Sequence, residues 1–221
     1  MRNSSGIDIL AGLCLTGALA TILFVSRESS PGLDRALHAA IGRALAKETL
    51  GLLGPGGKIT LISRDTETFR QPALEVLLKS FQREIRRAHV TIAKTQLLQT
   101  DPLRPIDVPP GDFFELLRRC PPGDAIVSLL GPPFLTPEQR NRLGPIQPKI
   151  VAFCPGPLGE TTDLRQLFNA GLLHSAVVVR QESLVPANSG ARPPRSFDEL
   201  YTIVRASDGG GDPKSESRNP K

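Results

Sequence analysis

The sequence predicts an α/β fold: a three-layer sandwich around a five-stranded, mainly parallel sheet, preceded by one transmembrane helix. Two patterns carry this prediction. Residues 7–25 form a nearly unbroken apolar run, and beyond residue 58 short runs rich in Ile and Val alternate with segments of helical periodicity. Strands that are separated by helices need crossover connections, which give parallel pairing and a sheet covered on both faces.

The apolar run at residues 7–25 is long enough to span a membrane, and it contains a single charge, Asp8. A helix of this length rises about 28 Å, close to the thickness of the hydrocarbon core of a bilayer. A cleaved secretory signal has a shorter apolar stretch that ends at a small-x-small site. Ala18 and Ala20 imitate such a site, but residues 21–25 continue the run. We therefore expect an uncleaved anchor after a short tail at residues 1–6.

The orientation of the anchor follows from weaker signals. Basic residues lie on both sides of the run, so the positive-inside bias does not decide it. A short inner tail with the large domain outside is the commonest arrangement of such anchors, and we expect a single-pass protein with an extracytoplasmic (periplasmic) domain. Cys120 and Cys154 are predicted at opposite ends of the sheet, too far apart for a disulfide. Unpaired cysteines are typical of a reducing compartment, which keeps the opposite orientation open.

Residues 26–57 are predicted to form a linker and one amphipathic helix. The Ser-Ser-Pro-Gly sequence at residues 29–32 ends the membrane helix. Beyond it, apolar residues recur every four positions, which is typical of an amphipathic helix; they are Leu33, Leu37, Ile41 and Leu45. We expect this helix either to pack against the domain or to form a stalk near the membrane, and we favour these two arrangements over contact with a membrane surface or a partner.

The α/β domain is predicted at residues 58–206, with a Rossmann-like or flavodoxin-like alternation. Apolar runs bounded by turn residues predict strands at 59–62, 90–93, 124–130, 149–153 and 175–179. Apolar spacing and caps predict helices at 72–87, from Asp112, after the Thr136 capping box, and from Thr161 or Thr162. Residues 197–205 predict a short helix or an edge strand, and the composition of residues 207–221 predicts a disordered tail.

The composition argues against nucleic-acid binding. The formal net charge is +5, from 27 Lys and Arg against 22 Asp and Glu, and these charges are spread along the chain. A nucleic-acid interface needs a concentrated basic patch with stacking aromatic residues. The chain has no Trp and a single Tyr, Tyr201.

Ligands of open parallel sheets bind beyond the carboxyl ends of the strands. The enzyme arrangements that use this edge each lack a residue that their chemistry requires. No glycine-rich fingerprint follows the first predicted strand, and no Asp or Lys ends the third and fifth strands as in a phosphoacceptor domain. Glu160 stands where a cysteine phosphatase loop starting at Cys154 would need Arg. Cys154 is better interpreted as a buried, inert thiol than as a nucleophile.

We therefore predict no catalytic residue, no metal site and no cofactor. The residues predicted to contact a small ligand at this edge are Asp65, Thr66, Gly131, Cys154 and Gly156.

The order of elements resembles one lobe of the type I periplasmic substrate-binding proteins, including the group associated with ABC transporters. The Lys-Ile-Thr-Leu-Ile-Ser sequence from Lys58 corresponds to the opening strand, the sequence from Gly123 to the third strand, and the sequence from Lys149 to the fourth. That family holds its ligand between two lobes, and the chain has residues for one. The resemblance implies ligand capture only if two copies combine their lobes.

The main functional hypothesis is a membrane-anchored, non-catalytic α/β domain that acts as an interaction or assembly subunit of a membrane complex. Its expected partners are the bilayer, through residues 7–25, and other subunits or a second copy. The alternative is a small-ligand-binding module, a sensor or solute-binding-like lobe, that uses the carboxyl ends of the strands. A third hypothesis is an enzyme that uses Cys154.

Overall fold

Helices and strands alternate along the part of the chain that the computed structural model describes, namely residues 33–66, 70–98, 108–144, 147–156, 163–180 and 196–207. The elements are α1 (Arg35–Leu52), β1 (Ile59–Arg64), α2 (Pro72–Arg87), β2 (Ile92–Leu98), α3 (Pro110–Arg119), β3 (Ala125–Ser128), α4 (Pro137–Asn141), β4 (Lys149–Cys154), α5 (Leu164–Asn169), β5 (Ser175–Val179), α6 (Phe197–Leu200) and β6 (Tyr201–Arg205).

The strands form one sheet in the order β2-β1-β3-β4-β5-β6. Strands β1 to β5 pair in parallel, and β6 pairs antiparallel with β5. The predicted α/β fold with a mainly parallel sheet is thus confirmed. The sheet has six strands where five were predicted, because residues 197–205 form both the short helix α6 and the edge strand β6.

Strand β2 is the element that the sequence placed least well, at residues 90–93. It runs from Ile92 to Leu98 at the edge of the sheet, and most of its residues are exposed. An edge strand does not need the continuous apolar run of a central strand. Because Lys94, Thr95 and Gln96 are polar, the sequence of β2 lacks the pattern from which a buried strand is predicted. Strand β3 is shorter than the predicted 124–130.

Two hydrophobic layers cover the sheet. Helices α1 and α2 pack on one face through Ile41, Leu45, Leu77 and Phe81, which meet strand residues such as Leu61, Val127 and Val151. Helices α3 and α5 and residues that flank α4 cover the other face, where Phe113 and Leu117 meet Ile62, Ile126 and Ile150. Neighbouring strand residues such as Leu61 and Ile62 point to opposite faces, as the pleat requires.

Helix α1 belongs to this core. Its apolar residues Ile41, Leu45 and Ala46 are fully buried against α2 and the sheet. The amphipathic pattern favoured either packing against the domain or a stalk near the membrane. The structure shows packing against the domain. The same packing occupies the face that a partner or a membrane surface would need.

Three features fix α1 in place: one close backbone approach and two sets of hydrogen bonds. Gly42 lies where α1 crosses α2: a Cβ atom there would overlap the Leu77 carbonyl oxygen and lie 3.0 Å from Phe81 N. Near the crossing, Ser80 Oγ donates a hydrogen bond of 2.9 Å to the Ala39 carbonyl oxygen. Further along the helix, the buried Glu48 carboxylate accepts hydrogen bonds from two residues of the sheet, Ser175 and Arg205.

The predicted membrane span at residues 7–25 lies outside the described residues, as do the tail at residues 1–6 and the part of the C-terminal tail beyond residue 207. Within the described ranges, none of the helices combines the length and the apolar character that crossing a bilayer requires.

Candidate functional site

The site predicted from the sequence lies at the carboxyl edge of the parallel strands. Strand β1 has β2 on one side and β3 on the other. The connection after β1 leads to β2, and the connection after β3 leads in the opposite direction to β4, so the direction changes between β1 and β3. This is the switch point at which ligands bind in open α/β sheets. The segments that follow β1, β3 and β4 end at the same edge, because these strands pair in parallel with one register.

The structure brings all five predicted residues to this edge. Asp65 and Thr66 follow β1 and are half-buried, and Gly156 follows β4. Gly131 follows β3 with a φ of 101°, which favours glycine, and its N–H donates a hydrogen bond of 3.0 Å to the Phe153 carbonyl oxygen. Ligand contact by these residues stays a prediction.

Cys154 is the last residue of β4 and is 3% exposed. Burial raises the pKa of its thiol to about 12, so the thiolate is scarce at neutral pH and the residue is unsuited to nucleophilic attack. Cys120 ends α3, and burial followed by the nearby Asp124 carboxylate raises its pKa to about 11. Both cysteines are free, as predicted from their positions at opposite ends of the sheet.

A cavity of about 400 Å³ opens at the carboxyl edge, between α3, α4 and α5. Its walls come from three strand-to-helix connections, which follow β2, β3 and β4. We call it the carboxyl-edge cavity. Its lining residues are Val108, Pro109, Pro110, Pro132, Pro133, Phe134, Leu135, Arg140, Asp163, Gln166, Leu167 and Leu172.

Proline and capping residues shape this cavity. Pro132 and Pro133 keep the chain after β3 out of regular structure until the Thr136 capping box starts α4. Phe134 remains 60% exposed in this loop. On the opposite wall, Asp163 Oδ1 accepts a hydrogen bond of 3.2 Å from Gln166 N and caps α5. None of the five predicted ligand residues lines the cavity, although Gly131 directly precedes it.

Arg140 is a candidate site residue that the sequence did not indicate. Its Nε is buried and has no hydrogen-bond partner among the described residues. Arg140 lines the carboxyl-edge cavity and also a second cavity of about 460 Å³, which Lys149 and His174 line as well. Helix α4 has only five residues, so its sequence shows a capping box but no periodicity that would orient Arg140. The one signal of this cavity in the sequence is Phe134, an apolar residue in a proline-rich loop.

Among the described residues, no three or more His, Cys, Asp or Glu side chains lie close enough together to hold a metal ion.

Comparisons with known proteins concern the fold. No protein-family model and no curated protein sequence matches the chain. Among solved structures, a periplasmic ribose ABC transporter from Conexibacter woesei is 14% identical, with a TM-score of 0.48 over 77% of this chain and 57% of that one. A sugar ABC transport substrate-binding protein from Bordetella parapertussis is 14% identical, with a TM-score of 0.47 over 80% and 58%. A sugar-binding protein of a sugar ABC transporter from Bacillus halodurans is 14% identical, with a TM-score of 0.46 over 78% and 63%.

The chain thus spans somewhat more than half the length of these three solved proteins. In its fold, it resembles one lobe of a type I periplasmic binding protein, as the order of its sequence elements predicted.

Proposed function

We propose that the domain binds a small ligand in the carboxyl-edge cavity. The observation that carries this proposal is the meeting of three strand-to-helix connections around about 400 Å³ of space, next to the switch point of the sheet. Binding sites for small molecules have volumes of about 300–1,000 Å³ and occur at such switch points. This is the ligand-binding alternative that the sequence predicts, with its contacts moved from Asp65 and Thr66 to the loop after β3.

The lining favours a partly apolar ligand that carries a hydrogen-bond acceptor. Most of the wall consists of proline, valine, leucine and Phe134, whereas Arg140, Asp163 and Gln166 supply the polar groups. One oxygen of Asp163 is already engaged in capping α5. A ligand oxygen near Arg140 Nε would satisfy a buried donor, and leaving such a donor without a partner costs about 1–3 kcal/mol. A sugar would need more polar partners than this wall offers.

Replacing Phe134 by alanine is expected to weaken binding at this cavity about tenfold, because an aromatic wall contributes more than 1 kcal/mol to a bound apolar ring. The probe is 8-anilinonaphthalene-1-sulfonate, whose rings match the apolar wall and whose sulfonate is an acceptor. Fluorescence titration of the full chain gives the dissociation constant, and displacement of the dye by small molecules then identifies natural ligands.

Leu97→Ala is the matched control for Phe134→Ala. Leu97 is 50% exposed on β2, and it is not a lining residue of the cavity. We expect Leu97→Ala to leave the affinity for the dye unchanged. Equal weakening by both variants, or a lack of saturable binding, would contradict the proposal.

We also propose that residues 7–25 attach the chain to a bilayer and that the α/β domain lies on the extracytoplasmic side. The length and apolar character of this run support the proposal. Deleting residues 7–25 should move the protein from the carbonate-resistant membrane fraction to the supernatant. Purification of the tagged chain in mild detergent would then show whether other subunits or a second copy accompany it. A full-length chain that carbonate extracts would contradict membrane attachment.

A further inference from the structure

We propose that the amino edge of the sheet holds a second site, which binds an oxyanion such as a phosphate or carboxylate group between Lys149, His174 and Arg140. Lys149 and His174 do not line the carboxyl-edge cavity, whereas Arg140 and Leu172 line both cavities. The proposal does not depend on the function proposed above.

The site is the cavity of about 460 Å³ at the amino edge of the sheet, beside the last residues of α4, here called the amino-edge cavity. Lys149 enters it from the first position of β4, His174 from the turn before β5, and Arg140 from α4. Two lining residues carry a positive charge, and the described residues that line it include no Asp or Glu. Neither Lys149 nor Arg140 forms an ion pair within the described part of the chain.

The backbone of β4 fixes the ring of His174. The His174 N–H donates a hydrogen bond of 2.9 Å to the Ile150 carbonyl oxygen. In return, the Ile150 N–H donates a hydrogen bond of 3.2 Å to His174 Nδ1. Nδ1 therefore carries a lone pair, and the proton of the neutral imidazole is on Nε2.

This tautomer leaves two donors facing each other. His174 Nε2 lies 3.4 Å from Lys149 Nζ, and an ammonium group has hydrogens to donate and no lone pair to accept with. No hydrogen bond can form between these two nitrogens in their ordinary protonation states at neutral pH. An oxygen of an anion placed beside them would accept from both, and it would lie in a cavity that the positively charged Arg140 also lines.

Charge leads to the same conclusion. Burial, followed by repulsion from the Lys149 ammonium, lowers the pKa of His174 to about 4. The ring is therefore neutral at pH 7, and the described residues that line the cavity carry the positive charges of Lys149 and Arg140 and no carboxylate. The Glu138 carboxylate interacts with Arg140 from outside this lining. A bound anion would neutralise part of this charge and would favour protonation of the ring, because an opposite charge nearby stabilises the charged form.

The test follows His174 by NMR in the full chain with isotope-labelled histidine. Sulfate is the first probe, because it stays doubly charged across the whole titration range. We expect saturating sulfate to raise the pKa of His174 by about one unit from its value without sulfate, which corresponds to about tenfold tighter anion binding by the protonated ring. At pH 7, inorganic phosphate and acetate then show which head group gives the tighter, saturable shift of the His174 signals.

Matched variants separate a site from general charge screening. Lys149→Gln should raise the pKa of His174 without any anion and lower the affinity for sulfate at least tenfold. Lys58→Gln removes an exposed lysine that directly precedes β1 at the same edge of the sheet, and it should change neither value. Phe134→Ala should also leave sulfate binding intact, so failure of this site and failure of the carboxyl-edge cavity can be told apart.

Three results would overturn the proposal. Sulfate could shift His174 no further than sodium chloride does at the same ionic strength. Lys149→Gln and Lys58→Gln could weaken the response equally, which would mean screening without a site. Lys149→Gln could leave the response intact, which would remove the lysine from the site. The thermal unfolding midpoint of each variant verifies that these readings come from folded protein.

Discussion

Replacing Glu48 by alanine is expected to lower the free energy of unfolding by about 3 kcal/mol. Arg205 donates to both carboxylate oxygens of Glu48, with Nη2 2.6 Å from Oε1 and Nε 2.7 Å from Oε2. Ser175 Oγ donates to Oε2 at 2.9 Å. Alanine would leave these donors without their acceptor beneath α1. We expect the lower end of the range for broken buried pairs, because the Arg205 side chain is 45% exposed and water can reach it.

Urea denaturation measures this loss, and Glu115→Ala is its control. Glu115 pairs with Arg118 and Arg119 on the surface of α3, where all three side chains are largely exposed. Exposed pairs of this kind contribute about 0–1 kcal/mol. Similar values for Glu48→Ala and Glu115→Ala would show that the buried pair does not hold α1 on the sheet. A double-mutant cycle with Arg205→Ala separates the Glu48–Arg205 coupling from other effects.

The pH dependence of the unfolding free energy of Glu48→Gln provides a second test of the Glu48–Arg205 ion pair. Burial by itself would raise the pKa of Glu48, but the hydrogen bonds from Arg205 and Ser175 outweigh it and hold the pKa below the ordinary value of 4.5. A carboxylate with a lowered folded pKa stabilises the fold fully above its unfolded pKa, and this stabilisation disappears as the pH falls through the folded pKa. The wild-type chain should therefore lose stability below about pH 4.5 more steeply than Glu48→Gln.

The central strands could be predicted because burial on both faces requires a nearly continuous run of apolar residues. Strands β1, β4 and β5 are nearly continuous apolar runs, and the structure places them close to the predicted positions. Strand β2 has one side open to solvent, so its polar residues obscure it. The pattern of α1 gives the apolar face of the helix but not what that face contacts, and this is why packing and stalk both stayed open.

The polar clusters were beyond sequence reasoning for another reason. The Glu48–Arg205 pair joins residues 157 positions apart, and the contact of Lys149 with His174 depends on the pairing of β4 with β5. Neither pair has a characteristic spacing along the chain, since each exists only after the strands are assembled. The carboxyl edge itself could be predicted from the alternation of helices and strands. The carboxyl-edge cavity could not, because it depends on the side-chain orientations of Phe134 and Arg140.

Replacing Gly42 by alanine is expected to lower the free energy of unfolding by about 2 kcal/mol, although alanine is the better helix former. The new Cβ would overlap the Leu77 carbonyl oxygen, and it would also lie 3.0 Å from Phe81 N and Ser80 Cβ. Two of these three atoms belong to the backbone of α2, so a change of side-chain rotamer cannot relieve the contact. The helices must move apart, which loosens the packing of Leu45 and Phe81 and lengthens the hydrogen bond from Ser80 to Ala39.

Gly51→Ala, in the same helix, isolates this packing effect from helix propensity. A Cβ atom at Gly51 would meet nothing within 4 Å, so the substitution should stabilise the chain by up to about 1 kcal/mol. The two variants should therefore differ by about 3 kcal/mol in urea denaturation, with opposite signs relative to the wild-type chain. If Gly42→Ala stabilises the chain as Gly51→Ala does, α1 does not cross α2 at Gly42. In that case α1 would not be part of the core, and the stalk interpretation of residues 26–57 would regain its place.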